Sequence, residues 1–460
     1  MKKYDIIIVG AGASGVFMAY ELTKIKNNAK VLMLDKGAPL EKRVCPIKAG
    51  KTSTCIKCSP CHIMNGYGGA GTLSDGKYNI TTQFGGDLHE YVGPEKAMEL
   101  MEYVDDVLCS MGGADAKLYS TASSELKTVA LQNDLHLLEA KVRHLGTDRN
   151  VMILGRIFDY IKERIDMEFY TEISSVVRQD NGEFLVTTNK DEEFLCTDLV
   201  LATGRSGSKW ISKVCDSMDI EMKQNRVDIG VRVELPAEVF KHITDDVYES
   251  KIVYKTDKYN DMVRTFCMNP YGEVVSENTN GIVTVNGHSY SDSTLHTENT
   301  NFALLVSNKF TEPFEDSNEY GESIARLSNM LGGGVLLQRF GDLVKGRRSS
   351  ERRMEKCFTR PTLKATPGDL SLVIPKRQLD NIIEMIYALD KIAPGTANED
   401  TLLYGVEVKF YNSRVKVDYN LETKVKGLYA LGDGSGVTHS LSQASASGVY
   451  VGRILAEKYQ

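Results

Sequence analysis

Short runs of consecutive apolar residues flank an amphipathic stretch in the first 35 positions of the chain. Residues 6–9 are uniformly apolar, residues 16–26 carry apolar side chains at helical spacing, and residues 31–34 are apolar again. Uninterrupted apolar runs of this length are typical of strands that a parallel sheet buries on both faces. The pattern therefore predicts a β-α-β unit at this end of the chain.

A glycine-rich turn joins the first predicted strand to the helix. Its Gly-x-Gly-x-x-Gly spacing permits a tight turn, close approach of the backbone to a pyrophosphate, and close packing of helix on strand. Asp35 ends the second strand, where a carboxylate can accept hydrogen bonds from ribose hydroxyls. The turn predicts a dinucleotide site but does not by itself separate FAD from NAD. The predicted site residues are Gly10, Gly12, Ala13, Ser14, Gly15, Asp35 and Lys36.

Two later strands end in turns of small residues. Residues 198–204 form an apolar run that ends in Ala-Thr-Gly, and they follow a β-rich stretch with an Asn-Gly hairpin turn at 181–182. Residues 426–434 form another run, which ends in Gly-Asp-Gly and precedes a small-residue helix. Small residues allow close packing around a ligand, and the helix N-terminus can face a phosphate. The predicted site residues are Thr203, Gly204, Gly432, Asp433, Ser442, Gln443 and Ala444.

These three segments, in this order, resemble the two-dinucleotide-binding flavoproteins, the superfamily of glutathione reductase and fumarate reductase. The resemblance implies that FAD is the cofactor and that the first turn binds its pyrophosphate. It also implies that Asp35, where Glu is more usual, binds the adenosine ribose, and that Asp433 binds the ribityl chain. The helix over residues 442–452 would then point its N-terminus at the flavin ring.

A closer resemblance, to a group of FAD-dependent dehydrogenases, rests on the string Gly-Tyr-Gly-Gly-Ala-Gly-Thr-Leu-Ser-Asp-Gly-Lys at residues 66–77. It covers nearly the whole chain and implies a fold and a cofactor but no substrate. No second Gly-x-Gly-x-x-Gly follows a predicted strand in mid-chain, so we expect no dedicated NAD(P)H domain. The string adds the predicted cofactor-binding residues Gly69, Ala70, Gly71 and Ser74.

Four of the nine cysteines crowd into the segment 45–61, where Cys45, Cys55, Cys58 and Cys61 are spaced C-x9-C-x2-C-x2-C. Four converging thiolates suit an iron–sulfur cluster or a structural zinc ion, and the close triplet favours [4Fe–4S]. A redox-active pair such as Cys55 and Cys58, or unliganded thiols, are the alternatives. In the glutathione reductase branch the matching segment brings redox cysteines to the flavin. A cluster there is hypothesised to relay electrons from a ferredoxin-like donor.

The pattern changes in the middle of the chain. Strict alternation at residues 227–234 and 282–285 predicts antiparallel strands rather than buried parallel ones. We therefore predict an α/β fold, with a Rossmann-like FAD-binding domain (parallel sheet and β-meander) and an inserted, mostly antiparallel α+β cap domain. The predicted boundaries are 1–211 for the first part of the FAD-binding domain, 212–365 for the substrate or cap domain, and 366–460 for the C-terminal part.

Three side chains are candidates for contact with a substrate or with the flavin. His439 lies between the predicted ribityl-binding acid and the small-residue helix, so it is the favoured proton donor. Arg232 and His288 lie in the predicted cap domain and could face a substrate. The alternative for each is an ordinary hydrogen-bonded or solvated side chain, and this alternative is favoured for Arg232 and His288.

Composition limits the function classes. The net charge is −7, and no apolar stretch reaches the length of a membrane span, so we expect neither a nucleic-acid nor a membrane partner and a cytoplasmic location. The sequence predicts an FAD-dependent oxidoreductase acting on a small organic substrate. The alternatives are an NAD(P)H oxidoreductase with structural zinc, an RNA-associated flavoprotein, and a flavin-binding subunit without catalysis of its own.

Overall fold

The computed structural model describes residues 2–46, 49–51, 56, 58–74, 76–122, 125–247, 250–279, 281–290, 293–310, 313–314 and 316–460. The chain divides into two compact units. The first comprises residues 1–118, 140–224 and 412–460, and the second comprises residues 119–139 and 225–411. In sequence, the second unit is therefore inserted into the first.

Helices and strands alternate along most of the chain. The helices are α1 (Ala13–Lys24), α2 (His89–Val92), α3 (Pro94–Leu108), α4 (Glu125–Leu131), α5 (Thr147–Ile161), α6 (Ser208–Ser217), α7 (Ala237–Val247), α8 (Ser317–Gly332), α9 (Phe340–Val344), α10 (Glu351–Met354), α11 (Lys376–Asp390) and α12 (Leu441–Lys458). The strands are β1 (Lys2–Val9), β2 (Val31–Leu34), β3 (Lys77–Ile80), β4 (Leu118–Ser120), β5 (Leu135–Leu137), β6 (Lys141–His144), β7 (Asp166–Glu168), β8 (Ile173–Arg178), β9 (Phe184–Thr188), β10 (Glu193–Leu201), β11 (Met222–Lys223), β12 (Val227–Pro236), β13 (Ile252–Lys255), β14 (Met262–Asn269), β15 (Glu273–Thr279), β16 (Ile282–His288), β17 (Asn299–Asn308), β18 (Leu336–Arg339), β19 (Thr366–Pro367), β20 (Leu402–Phe410), β21 (Arg414–Val415) and β22 (Leu428–Ala430). Among the described residues, no helix is both long and apolar enough to cross a membrane.

A parallel sheet forms the centre of the first unit. Its strands run β7-β2-β1-β10, and β22 pairs with β10 as well. Ile6 and Ile8 of β1 pack into one apolar cluster while Ile7 and Val9 pack into another, so this strand is buried on both faces. The first half of β10 pairs antiparallel with β9, and β9 pairs with β8, which makes the β-meander.

Helices α1 and α12 pack against each other in the first unit through small residues. A Cβ placed on Gly448 would lie 2.0 Å from the Ser14 carbonyl oxygen, and one on Gly452 would lie 3.1 Å from the Met18 carbonyl oxygen. Backbone therefore meets backbone at Gly448, which explains the run of small residues in the sequence of α12. This contact places the middle of α12 against the start of α1.

An antiparallel sheet forms the centre of the second unit. Its order is β19-β18-β20-β12-β17-β14-β13-β5, with only β18 and β19 parallel among its described strands. Alternate residues of β12, from Val227 to Leu235, pack into an apolar cluster with α7, α8 and α11. The intervening residues Asp228, Arg232 and Glu234 are buried on the opposite face. The predicted α/β fold class, with a parallel sheet and an inserted, mostly antiparallel segment, is confirmed.

The bounds of the two compact units differ from the predicted domain boundaries at 211 and 365, which stay a prediction. The second unit begins at residue 225 and ends at residue 411, and it also takes residues 119–139. The reason is strand pairing: β20 joins β12 and β18, and β5 joins β13. Helix α11, predicted to lie in the FAD-binding domain, instead buries Ile382 and Ile386 in the core of the second unit.

Candidate functional site

A cavity of about 410 Å³ lies within the first unit, at the carboxyl ends of its parallel strands. Val9, Leu34 and Ala202, which end or directly follow β1, β2 and β10, all line it. The carboxyl edge of an open parallel sheet is where α/β proteins bind their ligands. The sequence-predicted residues that line the cavity are Gly10, Gly12, Ala13, Ser14, Asp35, Lys36, Gly69, Ala70, Gly71, Thr203, Gly204, Asp433 and Ala444.

The glycine turn has the geometry that its spacing predicts. Gly10 has φ +107°, its N–H donates to the Leu34 carbonyl at 2.7 Å, and a Cβ there would lie 2.4 Å from the Ala202 carbonyl oxygen. A Cβ on Gly12 would meet only that same oxygen, at 3.9 Å, because Gly12 faces the cavity. Helix α1 begins directly after Gly12, so its N-terminal N–H groups and the positive end of its dipole lie at the cavity wall.

Asp35 has a structural task that the sequence did not reveal. One of its carboxylate oxygens accepts a hydrogen bond from the Ala11 N–H at 2.8 Å and the other accepts one from the Gly37 N–H at 2.7 Å. The carboxylate thus holds the glycine turn against the end of β2. It is partly exposed at the cavity, where each oxygen retains a lone pair for a ligand.

Asp433 and Thr203 supply polar groups at the same cavity. The Asp433 carboxylate accepts a hydrogen bond from the Thr438 hydroxyl at 2.9 Å, and Arg205 Nε lies 3.7 Å from its other oxygen. The Thr203 hydroxyl is buried and finds no hydrogen-bond partner among the described residues. A buried hydroxyl without a partner is unfavourable in a folded protein, so a ligand atom is the expected partner.

The glycine string at residues 66–71 packs against the first turn, and an arginine holds it there. The Gly68 N–H donates to the Ala11 carbonyl at 2.6 Å. The buried Arg43 guanidinium donates to four carbonyl oxygens, those of His62, Ile63, Tyr67 and Gly69, at 2.6–3.0 Å. Burial lowers the pKa of Arg43 to about 10. Sequence reasoning missed Arg43, because an isolated arginine carries no motif.

Five predicted cofactor-binding residues do not line the cavity: Gly15, Ser74, Gly432, Ser442 and Gln443. The Gln443 side chain is instead bonded to the loop after β3: it accepts from the Leu88 N–H and donates to the Thr81 and Phe84 carbonyls. The Gln443 side chain thus joins α12 to this loop, and its predicted contact with the cofactor stays a prediction. Ser440 directly precedes α12 and caps it, since its hydroxyl accepts a hydrogen bond from the Gln443 backbone N–H, and Ser440 itself lines the cavity.

Several basic residues at the cavity were not predicted. Lys209 and Lys213 lie one turn apart on α6, with Trp210 beside them, and Arg205 precedes that helix. Together with Lys36 they place cations around a site whose lining acids are Asp35, Glu172 and Asp433. The i, i+4 spacing of the two lysines after a small-residue turn is a signal that could have found them.

The three catalytic candidates differ in their surroundings. Arg232 is completely buried, and its five N–H groups donate to Glu407, Cys267, Asn301 and Asn286 within the second unit. These bonds match the alternative favoured for Arg232, an ordinary hydrogen-bonded side chain, and they use its donors within the second unit. His439 is partly buried next to Ser440, and its backbone N–H donates a hydrogen bond to the Gly85 carbonyl. His288 is exposed and packs edge-on against Tyr290, 4.8 Å between ring centroids.

The four-cysteine prediction falls only partly on described residues, since Cys55 lies outside them. Cys45, Cys58 and Cys61 are free thiols of intermediate burial. Within the described part of the chain, no three His, Cys, Asp or Glu side chains group so as to hold a metal ion.

Comparison with known proteins gives one family match and several weak structural likenesses. Among solved structures, glycine oxidase from Geobacillus kaustophilus is 11% identical, with 100% of this chain and 96% of that chain covered and a TM-score of 0.41. 3-Ketosteroid-delta4-(5alpha)-dehydrogenase from Rhodococcus jostii RHA1 is 13% identical, with 99% and 97% covered and a TM-score of 0.46. L-alpha-glycerophosphate oxidase from Mycoplasma pneumoniae, with FAD bound, is 12% identical, with 99% and 95% covered and a TM-score of 0.39.

Those TM-scores are below 0.5, so no argument rests on these likenesses. No curated protein matches the chain. A family model described as FAD-dependent protein, C-terminal domain-like, matches residues 226–410. That span nearly coincides with the main segment of the second unit, residues 225–411. Residues 226–410 are therefore similar to the domain that this family model describes.

Proposed function

We propose that the protein is an FAD-dependent oxidoreductase that acts on a small organic substrate. The observation that carries this proposal is the convergence of Gly12, Asp35, Thr203 and Asp433 on one cavity at the carboxyl edge of a parallel sheet. These residues are far apart in sequence, yet each has the chemistry that one part of a flavin dinucleotide requires. The family match over residues 226–410 supports FAD rather than NAD.

The cavity residues divide the binding of the cofactor among them. The N–H groups at the start of α1 would bind the pyrophosphate, with Gly12 leaving room for it. Asp35 would accept hydrogen bonds from the ribose hydroxyls, and Asp433 would accept them from the ribityl chain. Bound FAD would supply hydride transfer, while the protein orients the reactants and moves protons. His439, next to the cavity-lining Ser440, is the proposed proton donor.

A substitution at Gly12 tests the cofactor site without disturbing the fold. Gly12 has φ −77° and lines the cavity, and a Cβ there would meet nothing closer than 3.9 Å, so the side chain of Gly12→Val starts in cavity space. We expect wild type to bind FAD and Gly12→Val to bind it at least about a hundredfold more weakly, a loss of about 2.8 kcal/mol.

The matched control is Gly155→Ala, at a position on α5 where the added Cβ would meet only Leu40 Cδ2, at 3.4 Å. FAD affinity is measured by flavin fluorescence titration, and folding is checked by thermal unfolding. Full FAD binding by folded Gly12→Val, or no binding by folded wild type, would refute the cofactor assignment.

We further propose that the four cysteines bind a [4Fe–4S] cluster that relays electrons to the flavin from a ferredoxin-like donor. Support comes from the C-x9-C-x2-C-x2-C spacing and from Cys45, Cys58 and Cys61 being free thiols. Anaerobically purified protein should then contain about four iron atoms and four acid-labile sulfide ions per chain. Cys58→Ser should lose them and keep the flavin, whereas Cys109→Ser should keep both.

Zinc without sulfide would refute the relay and leave the cysteines with a structural role. Rapid bleaching of the flavin by NADPH in a stopped-flow experiment would then identify the alternative function, an NAD(P)H oxidoreductase. A [4Fe–4S] analysis with no bleaching by NADPH excludes that alternative.

A further inference from the structure

Trp210 is the single tryptophan of the chain, and it lines the cofactor cavity. It lies in the first turn of α6, shortly after the end of β10. Its side chain is partly buried and packs against an apolar cluster of the first unit that includes Ile211 and Val214 of the same helix. The part of the indole that this cluster leaves uncovered is therefore available to a ligand in the cavity.

The same apolar cluster shows which part of the cavity Trp210 borders. Leu34 and Ile173, two other members of the cluster, also line the cavity. Leu34 directly precedes Asp35 in the chain. The segment just before Ile173 is bonded to that aspartate, since the Thr171 N–H donates to the Asp35 carbonyl at 3.0 Å. Leu34, Ile173 and Trp210, which we call the apolar wall, therefore lie on the Asp35 side of the cavity.

The start of α12 belongs to a different part of the cavity. Leu441, the first residue of α12, lines the cavity but packs against the other large apolar cluster of the first unit. A Cβ on Gly71 would lie 2.5 Å from Leu441 Cδ2, so the end of the glycine string lies at this part as well. The apolar wall and the start of α12 thus offer separate surfaces to the two ends of a long ligand.

We propose that Trp210 contacts the adenine base of FAD, and that this contact makes the cavity prefer the dinucleotide to FMN, which has no adenine. The proposal rests on the proposed function, in which Asp35 binds the adenosine ribose. Because the base is bonded to that ribose, it comes close to the apolar wall. Stacking of a base on an aromatic side chain typically strengthens binding by about tenfold to a hundredfold, and it requires only the flat face of each ring.

ADP and FMN separate the two ends of the cofactor in the test. ADP carries the adenine, whereas FMN carries the isoalloxazine ring, which is the other planar group of FAD. Full-length protein is freed of flavin, and the dissociation constants of ADP and FMN are measured by competition with FAD. In wild type, ADP should displace FAD. If ADP does not displace FAD from wild type, the proposal is overturned.

Variants at Trp210 separate the aromatic face from apolar packing. Trp210→Leu keeps an apolar side chain against the cluster but removes the flat ring, so the dissociation constants of FAD and ADP should each rise about tenfold, while that of FMN stays unchanged. Trp210→Phe should keep all three within about threefold of wild type, because it retains a ring. Phe358→Leu is the matched control, since Phe358 lies in the second unit and is 79% exposed.

The outcomes of these titrations decide between the two ends of FAD. Weaker binding of FMN but not of ADP by Trp210→Leu would assign Trp210 to the isoalloxazine ring and overturn the proposal. Unchanged affinity of this variant for FAD and ADP would overturn it too, and would leave the oxidoreductase proposal untouched. Failure of folded wild type to bind FAD would instead refute the proposed function itself. Far-UV circular dichroism checks that each variant is folded.

Trp210 also reports the contact directly, through its own fluorescence. Excitation at the red edge of the absorption spectrum avoids the 22 tyrosines, so the emission comes from Trp210 alone. Acrylamide should quench this emission in the flavin-free protein, because the side chain is only partly buried. ADP should shield Trp210 from acrylamide at the same concentrations that displace FAD. Displacement of FAD by ADP without any shielding would show that the adenine binds elsewhere in the cavity and would overturn the proposal.

Discussion

Replacing Arg43 tests whether the glycine string at residues 66–71 is part of the cofactor site. The Arg43 guanidinium donates to four carbonyl oxygens on residues 62–69. Arg43→Met retains the length and packing of the side chain but removes every one of these donors. The string, with the cavity-lining Gly69, should then detach from the first turn part of the time.

The magnitude follows from the number and type of the lost bonds. A hydrogen bond to a charged group contributes about 1.5–3 kcal/mol, but water re-solvates some of the released carbonyls and the burial penalty of the guanidinium is removed. We therefore expect a net loss of about 3 kcal/mol in docking the string, which corresponds to about a hundredfold weaker binding of FAD. The FAD affinity of Arg43→Lys should lie between those of wild type and Arg43→Met, because an ammonium group cannot reproduce the planar set of donors of the guanidinium.

The assay is fluorescence titration of the flavin-free protein with FAD, with far-UV circular dichroism to check that each variant is folded. Arg326→Met is the matched control, because Arg326 is exposed on α8 and pairs with Glu322 on the same helix. An FAD affinity of Arg43→Met within about threefold of wild type, less than 1 kcal/mol, would contradict the reasoning. The string would then be either independent of Arg43 or outside the cofactor site.

Three further substitutions test other parts of the structure. Gly10→Ala should abolish FAD binding and lower the melting temperature measured by calorimetry, because its Cβ would lie 2.4 Å from the Ala202 carbonyl oxygen at a φ of +107°; an unchanged melting temperature would refute the turn geometry. Gly448→Leu should prevent recovery of folded protein, since a Cβ there would lie 2.0 Å from the Ser14 carbonyl oxygen, and soluble folded variant would contradict the packing of α1 on α12. Lys409→Met should raise the free energy of unfolding in urea by about 1–3 kcal/mol at pH 7. Burial and the charge of Lys251 lower the pKa of Lys409 to about 8 in the folded protein. Wild type therefore gains stability as the pH rises above about 8, and its difference from Lys409→Met should shrink toward pH 10. A difference that stays constant with pH would refute the buried charge as its cause.

The first β-α-β unit was predictable because its information is local. Ile6, Ile7 and Ile8 are apolar in succession because β1 is buried on both faces, and a strand of this kind leaves no polar position in the sequence. The spacing of the three glycines is likewise local, because it is determined by the geometry of a single turn. Local patterns of this type put the predicted cofactor-binding residues at one edge of the sheet, since the carboxyl ends of parallel strands meet there.

The domain boundaries were not predictable in the same way. The apolar residues of helix α11 have helical spacing, but spacing does not say which sheet the apolar face covers. Residues 402–410 have the composition of a strand in either unit, and only pairing with β12 assigns them to the second. The roles of Arg43 and Gln443 were hidden for the same reason, since each depends on a segment that folds back onto it.

Two basic residues of the second unit look alike in the sequence but differ in whether other groups compensate their charge. Arg232 and Lys409 occupy neighbouring strands as single basic residues among apolar ones. Arg232 is matched by Glu407 and by amide and carbonyl oxygens, so its charge is neutralised inside the protein. Lys409 lacks such a match among the described residues and lies beside two more cations. Because Glu407 compensates the buried charge of Arg232, whereas Lys409 has no such partner among the described residues, replacing Lys409 by an apolar residue should cost the fold less than replacing Arg232.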